Sequence, residues 1–122
     1  MIGYVILGTN DLPRAAAFYD ELLGLIGATR VMDLGRGIAW GVGRDKPMLL
    51  IMTPFDGQPA TVGNGVMVAL AVESRDLVDR LHAKALALGG KEEGPVGLRG
   101  ETFYAGYFRD LDGNKLDVFH IG

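Results

Sequence analysis

"FYAGYFRDLDGNKLDVF", Phe103 to Phe119, sets the reading of the whole chain: an aromatic run, a five-residue turn and an acidic run follow one another without a break. The runs are rich in residues that favour a pleated surface, and "DLDGN" (Asp110 to Asn114) joins them with the Gly and Asn that tolerate positive φ. The same five residues superficially suggest a calcium loop. They lack the further spaced oxygens and the distant Glu that such a loop requires, so a hairpin turn is expected.

Working outward, the chain repeats itself. "NDLPRAAAFYDELLGLIGA" carries a helix N-cap at Asp11, apolar residues at Ala15, Phe18, Leu22 and Leu25, and a stop at Gly27. An offset of 63 residues reproduces this with Ser74 as the cap, Val78, Leu81, Ala85 and Leu88 as the stripe, and Gly90 as the stop. Steps of three and four residues mark one face of a helix, so each helix covers something on one side only. Each follows a β-type run, "IGYVILGT" (Ile2 to Thr9) or "GVMVALAV" (Gly65 to Val72). Further short segments come after each, "TRVMD", "GIAWGVG" and "PMLLIM" in the first half, "KEEG", "TFYAGYFR" and "KLDVFHI" in the second. The pattern is β-α-β-β-β twice, an α+β chain of two tandem modules at residues 1–54 and 65–122, joined by a Gly- and Pro-rich linker at 55–64. Two ferredoxin-like units would give a similar pattern, and periodicity alone does not choose between them.

Bulk composition narrows the partners. With 122 residues and 48% hydrophobic content, the chain has enough material for one domain with a core. A net charge of −3 offers no basic stripe for phosphates, so nucleic acid is not an expected partner. There is no cysteine, hence no disulfide framework. No charged leader precedes the first apolar run and no apolar stretch reaches membrane-spanning length, so no membrane partner and a cytoplasmic location are expected. "GVGRDK" (Gly41 to Lys46) matches neither nucleotide-binding signature, and no Ser, His and Asp grouping is discernible.

The terminal hairpin, an aromatic strand, an Asp-x-Asp-Gly-Asn turn and an acidic strand, resembles that of the glyoxalase, bleomycin-resistance and extradiol-dioxygenase superfamily. "GYVILGTNDLPRAAAFYDELLGL" (Gly3 to Leu25) is similar to the first strand and helix of the same family. The resemblance implies the vicinal oxygen chelate fold, with a concave mixed-sheet cleft, and a homodimer. It also implies that metal-dependent members take one ligand from the first and one from the last strand of each module. The matching positions here are Tyr4, Ile51, Met67 and Asp117, of which only Asp117 suits a hard or borderline cation, while an open iron site asks for two His and one carboxylate. Met67 is a soft, weak donor that reads as packing. Of the two histidines, His82 falls on the second helix and His120 on the strand parity opposite Asp117. No cofactor is therefore expected, a divalent metal included.

Strand alternation then lines the cleft with Tyr4, Ile6, Leu49, Ile51, Met67, Ala69, Asp117 and Phe119, with Tyr107 and Ala105 from the seventh strand. Trp40 lines the same cleft or sits at a dimer contact. Such an apolar and aromatic lining suits a small, partly flat ligand, although Tyr4, Tyr107 and Phe119 equally suit a filled core. Arg36, Arg99 and Arg109 near the rim are candidates to clamp an anion, or are surface charges. The segment Gly94 to Thr102, with three Gly, is a candidate lid or a plain surface loop. The leading expectation is a metal-independent small-molecule binding protein. The alternative is a glyoxalase-type lyase, epimerase or dioxygenase, using divergent metal ligands or Asp117 as an acid or base with Tyr4 or Tyr107 as hydrogen-bond donors. A purely structural or regulatory dimer is a third.

Overall fold

A computed structural model describes all of residues 1–122, which form two compact units, Met1–Val62 and Gly63–Gly122. The first runs β1 (Tyr4–Gly8), α1 (Leu12–Gly24), β2 (Thr29–Asp33), β3 (Gly37–Gly41) and β4 (Met48–Met52). The second repeats the order with β5 (Val68–Ala71), α2 (Arg75–Ala87), β6 (Lys91–Leu98), β7 (Phe103–Arg109) and β8 (Lys115–Ile121). In each unit the first and last strands pair in parallel and the rest antiparallel, giving four-stranded sheets of order β1-β4-β3-β2 and β5-β8-β7-β6. These are the two β-α-β-β-β modules expected from the repeat.

The helices begin where their caps dictate. Asp11 accepts a hydrogen bond from the Arg14 amide, and Ser74 Oγ accepts one from the Leu77 amide at 3.1 Å, each satisfying a donor that the helix leaves without a partner. Ser74→Ala is expected to cost about 1 kcal/mol, measured as a shift in the urea unfolding midpoint without a change of slope. Both helices stop earlier than the glycines at 27 and 90 suggested. The helical stretches close at Gly24 and Ala87, and Gly27 (φ 75°) and Gly89 (φ 102°) carry the left-handed turns that follow.

One sheet face in each unit belongs to the helix. In the first unit Leu7, Ile38, Trp40, Leu49 and Ile51 share that face by register, and all are buried. α1 brings Ala15, Phe18, Tyr19 and Leu22 to it, with the Tyr19 and Trp40 rings 5.8 Å apart. Trp40 Nε1 donates to Asp20 at 2.9 Å, and Arg30 closes the same carboxylate with two further bonds. The Arg30 hydrogen bond, aided by Trp40, holds the Asp20 carboxyl below its ordinary range against a smaller burial effect. In the second unit Leu116, Val118 and Phe108 occupy the matching face, under Val78, Leu81 and Ala85 of α2. His82, also buried on α2, meets Glu92 of β6 at 3.0 Å, and His120 Nδ1 lies 2.8 Å from the Val72 carbonyl oxygen.

The terminal hairpin is as expected. Asp110 Oδ1 accepts from the amides of Asp112 and Asn114, and Gly113 takes φ 91°. Asp110 therefore serves the turn.

Candidate functional site

The other face of each sheet carries no helix. In the first unit it presents Tyr4 and Ile6 from β1, both more than half exposed, beside Met48, Leu50 and Met52 of β4 and Ala39 of β3. Its lining is almost wholly apolar. The second unit differs in one position. The parallel register sets Asp117 beside Ala69 just as it sets Leu50 beside Ile6, so a buried carboxylate stands where the first unit holds a leucine.

Asp117 is 2% exposed, and its Oδ1 has no hydrogen-bond partner. A buried acceptor left without a donor costs about 1–3 kcal/mol, so it is rare unless something else supplies the donor. Burial pushes the Asp117 carboxyl above its ordinary range, while the positive charges of Arg99 and Lys115 pull it partly back.

The neighbours on this face are mostly aromatic or cationic. Tyr107 lies directly across from Asp117 on β7, and Phe119, two residues along β8, stacks on Phe103 at 5.2 Å between ring centroids and 19° between planes. Two cations attend the Tyr107 ring, Arg99 at 5.3 Å and Lys115 at 5.7 Å from its centroid. Arg99 is fixed, donating to the backbone carbonyls of Pro95, Gly97 and Ala105. The small side chains of Ala69, paired with Asp117, and Ala105, paired with Phe119, flank the carboxylate on this face.

Several expected site residues lie elsewhere. Ile51 and Leu49 point to the helix side of their sheet, because β4 pairs in register with Val5 and Leu7 at those positions; Leu50 is the strand residue that corresponds to Asp117. Trp40 neither lines an open face nor reaches a surface contact, being 1% exposed and bonded to α1. Arg36 donates to the Thr53 carbonyl and rests over the Phe55 ring at 5.4 Å, in the first unit. Arg109 pairs with Glu93 at 3.2 Å and donates to the Gly113 carbonyl, a structural assignment. Tyr4 belongs to the open face of the first unit. Met67 precedes β5 by one residue, is 41% exposed, and by parity follows Ala69. The expected loop from Gly94 to Thr102 is mostly strand, since β6 runs to Leu98 with two register shifts, and only a tight turn at 99–102 remains. Thus Tyr107, Asp117, Phe119 and Arg99 share one face, joined by Lys115 and Phe103, which sequence reasoning passed over. Both were readable from parity, Lys115 as the residue two before Asp117 and Phe103 as the residue two before Ala105.

Comparison with known proteins agrees with this architecture. The family model described as "Glyoxalase/Bleomycin resistance protein/Dioxygenase superfamily" matches residues 1–118. The chain belongs to this superfamily. A crystal structure of a glyoxalase/bleomycin resistance protein from Albidiferax ferrireducens T118 is 36% identical, with a TM-score of 0.92, over 100% of this chain and 99% of that one. Lactoylglutathione lyase from Agrobacterium tumefaciens is 25% identical with a TM-score of 0.70, over 98% of this chain and 92% of its own. A genomically encoded fosfomycin resistance protein from Listeria monocytogenes, 19% identical with a TM-score of 0.74 over 100% of this chain and 93% of its own, shares the fold. No curated protein matches the sequence.

Superfamily membership raises the question of a metal, and the donor chemistry answers poorly to it. No group of three or more His, Cys, Asp or Glu side chains stands together. The positions matched to family ligands hold Tyr4, Met67 and Asp117, with Leu50 at the fourth once the register is corrected. One carboxylate, a thioether and a phenol do not make the three-donor or facial set that zinc or non-haem iron takes. The residues present do not fit the group.

Proposed function

We propose that the chain binds a small molecule on the open face of its second sheet, through hydrogen bonding to Asp117 and contact with Tyr107 and Phe119, and that it does so without a metal. The observation that carries this is the buried Asp117 Oδ1 with no donor. Such an atom sits among aromatic side chains, the mixture of apolar wall and few polar groups typical of small-ligand sites. The anionic-ligand option is weaker than it was on sequence grounds, because Arg36 and Arg99 already spend donors on backbone carbonyls.

A thermal-shift screen on purified protein, with and without EDTA and with elemental analysis alongside, tests it. A true ligand at 100-fold above its Kd adds about 2.7 kcal/mol of stability, and the gain is expected to persist with chelator and to fall to about half in Asp117→Leu, as a tenfold weaker Kd requires. Stoichiometric zinc, iron or nickel, or shifts that vanish with EDTA, would sink the metal-free reading.

The raised pKa of Asp117 favours one second reading, in which this carboxyl exchanges a proton with a bound substrate as general base while Tyr107 steadies developing negative charge. Turnover abolished by Asp117→Asn yet indifferent to chelation distinguishes it from binding alone.

A further inference from the structure

Resting on the ligand site proposed above, we infer that its ligand is a neutral, flat heterocycle whose edge carries an N–H donor next to a carbonyl acceptor, a cyclic amide, with the donor on Asp117 Oδ1 and the acceptor on Lys115. Four features of the second unit lead there. In the carboxylate form Asp117 Oδ1 only accepts hydrogen bonds, and it lacks a partner, so a ligand that satisfies it brings a donor. Lys115 lies two residues away on the same strand face, its ammonium 5.7 Å from the centre of the Tyr107 ring. An acceptor and a donor side by side match the two edges of one amide. Phe119, stacked on Phe103, adds an aromatic surface that favours a planar partner.

Charge decides between neutral and ionic candidates. Arg99 and Lys115 already face one carboxylate, so a cationic ligand meets two like charges. A simple carboxylate brings no donor for Oδ1 and sets its own charge beside that of Asp117. Arg99 does not compete for the amide carbonyl, because three backbone carbonyls hold it. The neutral amide edge alone satisfies both side chains.

The test uses three flat bicyclic probes of similar size: 2-quinolone, its N-methyl derivative, and 2-naphthoate, titrated into the full chain by amide NMR. 2-Quinolone is expected to bind about tenfold tighter than the N-methyl compound, which is flat but cannot donate. Asp117→Leu is expected to erase that preference while leaving N-methyl binding in place, and Lys115→Gln to weaken 2-quinolone. Equal affinity for the two quinolones, or a preference that survives Asp117→Leu, overturns the amide assignment and leaves the site standing. Tightest binding of 2-naphthoate overturns it in favour of charge recognition. Failure of all three to shift the β7 and β8 amides overturns the assignment together with the proposed site.

Discussion

Trp40→Ala is expected to lower unfolding free energy by about 3–5 kcal/mol, the range for truncating a large buried aromatic, out of a total of about 5–15 kcal/mol for a typical domain. The indole is 1% exposed, packs on Tyr19 and donates to Asp20, so its removal opens a cavity at the junction of α1 and β3 that backbone atoms cannot easily refill. Because this is the sole tryptophan, unfolding must be followed by circular dichroism, not by indole fluorescence. Trp40→Phe keeps most of the packing and loses the hydrogen bond. Its cost should be nearer 1 kcal/mol, and a loss below that for Trp40→Ala would mean the first unit's core does not rest on this side chain.

Asp117→Leu should act in the opposite direction, raising stability by about 1–3 kcal/mol at neutral pH while weakening binding of the hydrogen-bonding ligand about tenfold. The first unit already shows the apolar version, with Leu50 at the matching register. The pH dependence carries a definite sign. Burial raises the folded pKa of Asp117 above its ordinary value of 3.8, so the folded state holds its proton longer than the unfolded chain does. Its contribution to stability is intact below that ordinary value and is lost as pH climbs through the raised one. The advantage of the leucine variant should therefore be small at acid pH, grow through the window above 3.8, and level off once the wild-type carboxyl is ionised. Denaturant midpoints for both proteins between acid and neutral pH measure this. A difference that stays flat with pH, or a less stable variant, would show that Asp117 has a donor in solution.

The parts of the fold that were legible in the sequence are those with a one-sided signal. Asp11 and Ser74 announce helix starts chemically, and the 63-residue offset holds because both stripes repeat at helical spacing. Asp110 to Asn114 reads as a turn because each of its residues is chosen for backbone geometry. The face assignments in β3 and β4 were not legible for the opposite reason. "GIAWG" and "MLLIM" are apolar throughout, and both sides of that strand pair are largely buried, so no alternation tells Leu50 from Ile51 or sends Trp40 to one side. In β8 the same inference succeeded, since Lys115 and Asp117 break the apolar run at period two. β6 was shortened in the reading because Gly94, Pro95 and Gly97 signal loop, whereas an edge strand tolerates a proline and bulges that a central strand does not.

That irregular edge has a bearing on self-association in the test tube. β6 closes one end of its sheet with two register shifts and a proline, and β2 closes one end of the other with a shift between Arg30 and Met32. A foreign chain seeking to extend either sheet there finds mismatched amide spacing and, at Pro95, no amide hydrogen, so fibril growth from those two margins is disfavoured from its first added layer.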